Sequence, residues 1–123
     1  MGLFDAFGGQ KKWRRIALTD PKQPKRFEAV KKLEDQEALE MVAKSDENEY
    51  VRSNAIGKLA SADALLACVL RDNSKNNRET AVRRFCEVSS PEALIPGLLK
   101  LTNDRQKVGE AAALMDATSL EKR

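Results

Sequence analysis

The segment Arg26-Phe27-Glu28-Ala29-Val30-Lys31-Lys32-Leu33 returns twice at a fixed interval. It comes back 26 residues on as Arg52 to Leu59, with Ala55 and Ile56, and again as Arg78 to Phe85, with Ala81 and Val82. An aspartate keeps step with it. Asp20, Asp46 and Asp72 each stand six residues before one of those arginines. A period in this range is the mark of a repeat architecture, in which each unit buries its apolar face only against its neighbours.

Within a unit the pattern is helical. Ala29, Val30 and Leu33 lie at i, i+1 and i+4, and Ala38, Leu39, Val42 and Ala43 form a second one-sided stripe. Helices of about ten residues do not persist alone in water, so their stability must come from packing. The spacing predicts helical hairpins over 24–46, 50–72, 76–103 and 105–122, after a lone helix near 10–18. A fourth copy is expected with Asp104 and Glu110 in the Asp and Arg slots and Ala113, Leu114 and Ala117 following. The step of 32 residues from Asp72 then leaves six inserted, three near Ser89-Ser90-Pro91 and three in the next helix. Ser61 and Ser90 sit where N-caps are expected. Asp20-Pro21 and Asp72-Asn73-Ser74 carry turn chemistry. Pro96-Gly97 should kink or break the helix around 92–102.

This arrangement of Asp, then Arg, then Ala-aliphatic-x-x-Leu resembles the signature of HEAT repeats in a short bacterial form, over about residues 16–120. The resemblance implies an all-α fold, a right-handed α-α superhelix (solenoid) of about four stacked hairpins. It is expected to form a single domain, with an N-terminal segment and capping helix over 1–20 and the repeats over 21–123. It also implies that Asp20, Arg26, Asp46, Arg52, Asp72 and Arg78 form a structural ladder between turns, for which the planar guanidinium is suited. The resemblance says little about function, since this architecture carries many.

Composition narrows the chemistry. The chain has 123 residues and no histidine, so the commonest general base and metal ligand are missing. Cys68 and Cys86 read as free thiols in a reducing cytoplasm. No Gly-rich phosphate loop or nucleophile elbow is present. Glu34, Asp35, Glu37 and Glu40 cluster, as a solvated acidic face or as ligands for a hard cation. No run of about 18 apolar residues exists to span a membrane. The chain is therefore expected to be a cytoplasmic, non-enzymatic scaffold without cofactor or catalytic residues, binding a protein partner.

Charge is uneven. Residues 1–33 hold nine basic and three acidic side chains, whereas 34–72 hold four and nine. Lys11, Lys12, Trp13, Arg14, Arg15, Lys22, Lys25, Lys31 and Lys32 form the candidate partner-binding set. Three readings stay open for this end. The cations can meet nucleic-acid phosphates, with Trp13 stacked on a base. Leu3, Phe4 and Phe7 can hold a membrane surface weakly. Or the same apolar residues cap the first repeat. At the other end, an incomplete last hairpin would leave an apolar edge for homodimerisation, unless Met115 and Leu120 fold over it.

Overall fold

A computed structural model describes the backbone of residues 2–121 and the side chains of 9–116. Among the described residues the chain is helical, without strands. The helices are α1 (Gly2–Thr19), α2 (Gln23–Lys32), α3 (Gln36–Ser45), α4 (Glu49–Ile56), α5 (Ala62–Arg71), α6 (Lys75–Val88), α7 (Leu94–Leu101) and α8 (Arg105–Glu121). A 3-10 turn, Pro91–Ala93, leads into α7. They fall into two compact units, Met1–Lys58 and Leu59–Arg123.

In the first unit α1 lies against α2 and α3, and α4 packs on α2 and α3. The core is built from the repeated slots. Ala29, Val30 and Leu33 are fully buried, as are Val51, Ala55 and Ile56, and α3 contributes Ala38, Leu39, Val42 and Ala43. Alanine at the tightest slots lets the helices approach, and the branched residues fill the space between them. Helix starts are set by local chemistry. The Asp35 side chain accepts from Ala38 N at 3.3 Å, and that of Asn48 from Tyr50 N and Val51 N at 2.9 and 3.1 Å. These bonds satisfy N–H groups that a first turn leaves open. Helix α2 begins with Pro24 in its first turn instead.

The second unit uses the same slots. Ala64, Leu65, Cys68 and Val69 of α5 are buried, with Ala81, Val82 and Phe85 of α6 and Leu94 and Leu98 of α7. Ser61 and Ser74 cap α5 and α6 through bonds from Ala64 N and Asn77 N. Ser90 precedes the 3-10 turn without a side-chain cap bond. Cys68 is buried and Cys86 half-buried.

Three expectations change here. First, the segment 105–122 is not a hairpin: α8 is one helix over Arg105–Glu121. Second, Pro96 does not break its helix. It sits in the first turn of α7, where an N–H has no intrahelical acceptor to lose, so the helix starts at Leu94 just ahead of it. Gly97 follows it, packed against the Leu66 side chain. A Cβ there would stand 2.8 Å from Leu66 Cδ1. Third, the fourth copy is displaced by two residues. Thr102, not Asp104, stands at the C-cap occupied earlier by Asp46 and Asp72. Its Oγ1 accepts from Asp104 N at 3.0 Å, the bond that those aspartates take from the residue two positions on. Asp104 instead caps α8, accepting from Gln106 N and Lys107 N at 3.0 and 3.2 Å. The buried stripe of α8 is accordingly Val108, Ala111 and Leu114, while Ala113 is exposed. Thr102 lies thirty residues after Asp72, so the insertion is four residues, about one helical turn. The longer α6 accommodates it.

The lone first helix is also longer than expected, beginning at Gly2 rather than near residue 10. The side chains of Leu3, Phe4, Phe7 and Leu120, on which the capping, membrane and edge readings rest, lie outside the described residues. Met115 is half-buried.

Candidate functional site

The turns after α1, α3, α5 and α7 share one local design. Helices α1, α3, α5 and α7 are each followed by three residues before the next helix starts. In the first three turns the aspartate carboxylate accepts from the backbone N–H two residues on: Asp20 from Lys22 at 2.8 Å, Asp46 from Asn48 at 2.9 Å, and Asp72 from Ser74 at 2.9 Å. The arginine six residues later reaches back to that aspartate's own carbonyl. Arg26 donates to Asp20 O at 3.0 Å, Arg52 to Asp46 O at 2.9 Å and Arg78 to Asp72 O at 2.8 Å. This ties the end of one helix to the first turn of the next.

Arg26 makes a further pair. Its Nε donates to Asp46 Oδ2 at 2.9 Å, with side chains only 10% and 5% exposed. Its Nη2 reaches Asp46 Oδ1 at 3.4 Å and Glu47 Oε1 at 3.8 Å. Asp46 beside it holds the Arg26 proton more firmly than usual, against the opposing effect of burial. A cleft of about 240 Å³ opens on this pair, lined in part by Ala17, Asp20, Val42 and Ser45.

A second set of repeated bonds was not anticipated from the sequence. The Gln10 amide donates to Lys32 O at 3.1 Å and accepts from Glu34 N at 2.7 Å and Asp35 N at 3.3 Å. Gln36 donates to Lys58 O at 3.1 Å in the same way. Lys58 in turn places its ammonium on Val30 O and Lys31 O at 2.9 and 2.8 Å, at the C-terminal end of α2. A cation is favoured at that end of a helix. Burial pushes the Lys58 amine below its ordinary value. In the second unit Arg84 Nε meets Leu59 O at 2.9 Å. The signal was present: Gln10 and Gln36 are 26 residues apart, as are Lys32, Lys58 and Arg84.

The basic residues of the first unit do not form one uniform surface. Arg14 is committed internally, to Asp35 at 2.7 Å and Glu37 at 2.8 Å. Two members of the acidic cluster therefore hold an arginine, and among the described residues no group of His, Cys, Asp or Glu is arranged for a metal. Trp13 is half-buried, with Lys12 Nζ 4.9 Å and Lys32 Nζ 4.5 Å from its ring centre. Base stacking would have to displace these cations. Lys31 lies over Phe27 at 4.8 Å and pairs with Glu28 at 3.6 Å. Lys11, Arg15, Lys22 and Lys25 are exposed.

The Arg14 pair predicts a pH effect. Its hydrogen bond to Asp35, aided by that from Ala38 N, holds the Asp35 carboxyl below the ordinary value. A carboxyl depressed on folding contributes stability above its unfolded value, about pH 3.9, which is lost as pH falls through the folded value. Arg14→Gln should raise the Asp35 midpoint in a carbon-detected NMR titration. An unchanged midpoint would mean that Arg14 does not govern it.

Comparison of the chain with protein-family models, with curated proteins and with solved structures returns no match. Among the described residues no helix is long and apolar enough to cross a membrane.

Proposed function

We propose that the chain is a non-catalytic HEAT-like repeat scaffold whose hairpins continue as a right-handed solenoid, acting in the cytoplasm as an adaptor for a protein partner. The observation that carries this reading is the fate of the repeated charges. Asp20, Asp46, Asp72, Arg26, Arg52 and Arg78 all bond within their own turns, which is the work of a framework. Large apolar side chains meanwhile face solvent. Tyr50 is 65% exposed, Leu101 55%, Leu99 54% and Met41 44%. Tyrosine, methionine and leucine on rigid helices supply contact area to a protein at low ordering cost. The basic first third supports nucleic-acid binding less well, because Arg14 is engaged by two carboxylates and Trp13 is flanked by lysines.

Affinity capture from native extract separates the readings, run with and without nuclease and at low and high salt. A discrete protein that survives nuclease is expected. Recovery of nucleic acid alone, lost at high salt, would transfer the function to Lys11, Lys12, Arg15, Lys22 and Lys25.

A further inference from the structure

The turn design leaves one arginine incomplete. In the first unit, Arg26 meets both the carbonyl of the preceding C-cap residue and the carboxylate of the following one, Asp46. In the second unit, Arg78 meets the carbonyl of Asp72. The following C-cap residue is Thr102, which has no carboxylate and whose hydroxyl oxygen accepts from Asp104 N. Among the described residues, one of the five guanidinium N–H groups of Arg78 is thus engaged.

Arg78 lines a cleft of about 240 Å³ with Arg71, Asp72, Lys107 and Glu110, over an apolar floor that includes Val69 and Leu114. A neighbouring cleft of about 430 Å³ shares Arg78, Glu110 and Leu114 and adds Lys75 and Glu79. The wall Val69 to Asp72 with Arg78 repeats, 52 positions on, the wall Ala17 to Asp20 with Arg26 that holds the Asp46 carboxylate. Charges around the clefts are unevenly matched. Each acid has a donor: Asp72 has Ser74 N and the Asn77 amide, Glu79 has Arg83, and Glu110 has the Gln106 amide. Among the described residues, Arg71, Lys75, Arg78 and Lys107 face no carboxylate within ion-pair distance.

We propose that this paired cleft is a binding site for an acidic side chain of a partner protein, an Asp or Glu beside an apolar residue, with its carboxylate on Arg78. The internal precedent at Arg26 sets the ligand chemistry, since the same wall already holds a carboxylate there. Planar N–H pairs match a carboxylate. Lys107 and Lys75 add attraction from the rims, and Leu114 meets the apolar neighbour. Glu110, in both clefts, competes with the incoming carboxylate and tunes the affinity. The inference rests on the adaptor reading and assigns it a site.

The test is fluorescence anisotropy with a short labelled peptide alternating aspartate and leucine, beside its asparagine–leucine counterpart and a single-stranded oligonucleotide. The full chain should bind the aspartate peptide and not the asparagine one. Arg78→Gln should weaken binding roughly tenfold to a hundredfold, as for loss of a charged hydrogen bond. Lys107→Glu should weaken it about tenfold; the position is exposed and its side chain bonds to no described residue, so the variant is informative even if Arg78→Gln unfolds. Glu110→Gln should tighten binding several-fold, whereas Lys44→Glu, at an exposed position of α3 and with the same charge change as Lys107→Glu, should leave it unaltered. Equal binding of the two peptides, or indifference to Lys107→Glu, overturns the site. So does oligonucleotide binding that depends on Arg78, which would make it a phosphate site. If the aspartate peptide fails while extract capture still returns a nuclease-resistant protein, the site is wrong and the adaptor reading stands.

Discussion

Replacing Arg26 with alanine is expected to lower stability by about 3 kcal/mol, because it leaves a buried carboxylate without its partner. Asp46 is 5% exposed on its side chain and has two charged contacts from Arg26, at 2.9 and 3.4 Å. The substitution also removes the donor to Asp20 O, which tethers α2 to the end of α1. Desolvating a carboxylate without a counter-charge is among the few effects that reach this size in one substitution. Equilibrium urea unfolding measures it, provided the denaturant slope stays constant. Arg26→Lys should recover only part of the loss, since an ammonium cannot keep the fork that spans the Asp46 carboxylate and the Asp20 carbonyl. A loss under about 1 kcal/mol, in the range of exposed ion pairs, would mean that water reaches the pair freely.

Phe85→Ala should cost a comparable amount, about 3–5 kcal/mol, for a different reason. Phe85 is 2% exposed and fills the slot held by Leu33 and Leu59 in the earlier copies. Truncation to alanine removes the transfer energy of the ring and leaves a void that α6 closes only in part. The repeat supplies a built-in control. Phe85→Leu restores the residue type of the other two copies and should cost less than about 1.5 kcal/mol. Equal losses for the two variants would show that the ring itself, not the volume of a repeated slot, holds this part of the second unit.

The turns were legible in the sequence because their chemistry repeats in kind. An aspartate that accepts from its own backbone and an arginine six residues on recur unchanged, so Asp20, Asp46, Asp72 and their arginines could be marked by counting alone. The fourth copy keeps the role of its C-cap residue but not its letter. Asp104 looked like another C-cap aspartate, yet Thr102 fills that place, since a threonine hydroxyl accepts the same short bond. The aspartate was free to cap α8. The alternation of Val108, Ala111 and Leu114 carried the correct register. Pro96 breaks a helix only from its interior, and the sequence does not show that it lies in a first turn, where it costs little. The commitment of Arg14 was hidden for another reason. Its partners lie 21 and 23 residues away, with no local pattern to join them. The open face of Arg78 among the described residues follows from Thr102 holding the C-cap place, which no spacing in the sequence marks.

A double-mutant cycle on Arg26 and Asp46 tests most directly whether the repeated charges serve the fold. Stability would be measured for Arg26→Ala, Asp46→Ala, the double variant and the parent chain. A structural ladder predicts a coupling of about 1.5–3 kcal/mol, with the double variant more stable than the two single losses would sum to. Losses that simply add, with a coupling near zero, would contradict the account and return these residues to the surface as candidates for a ligand.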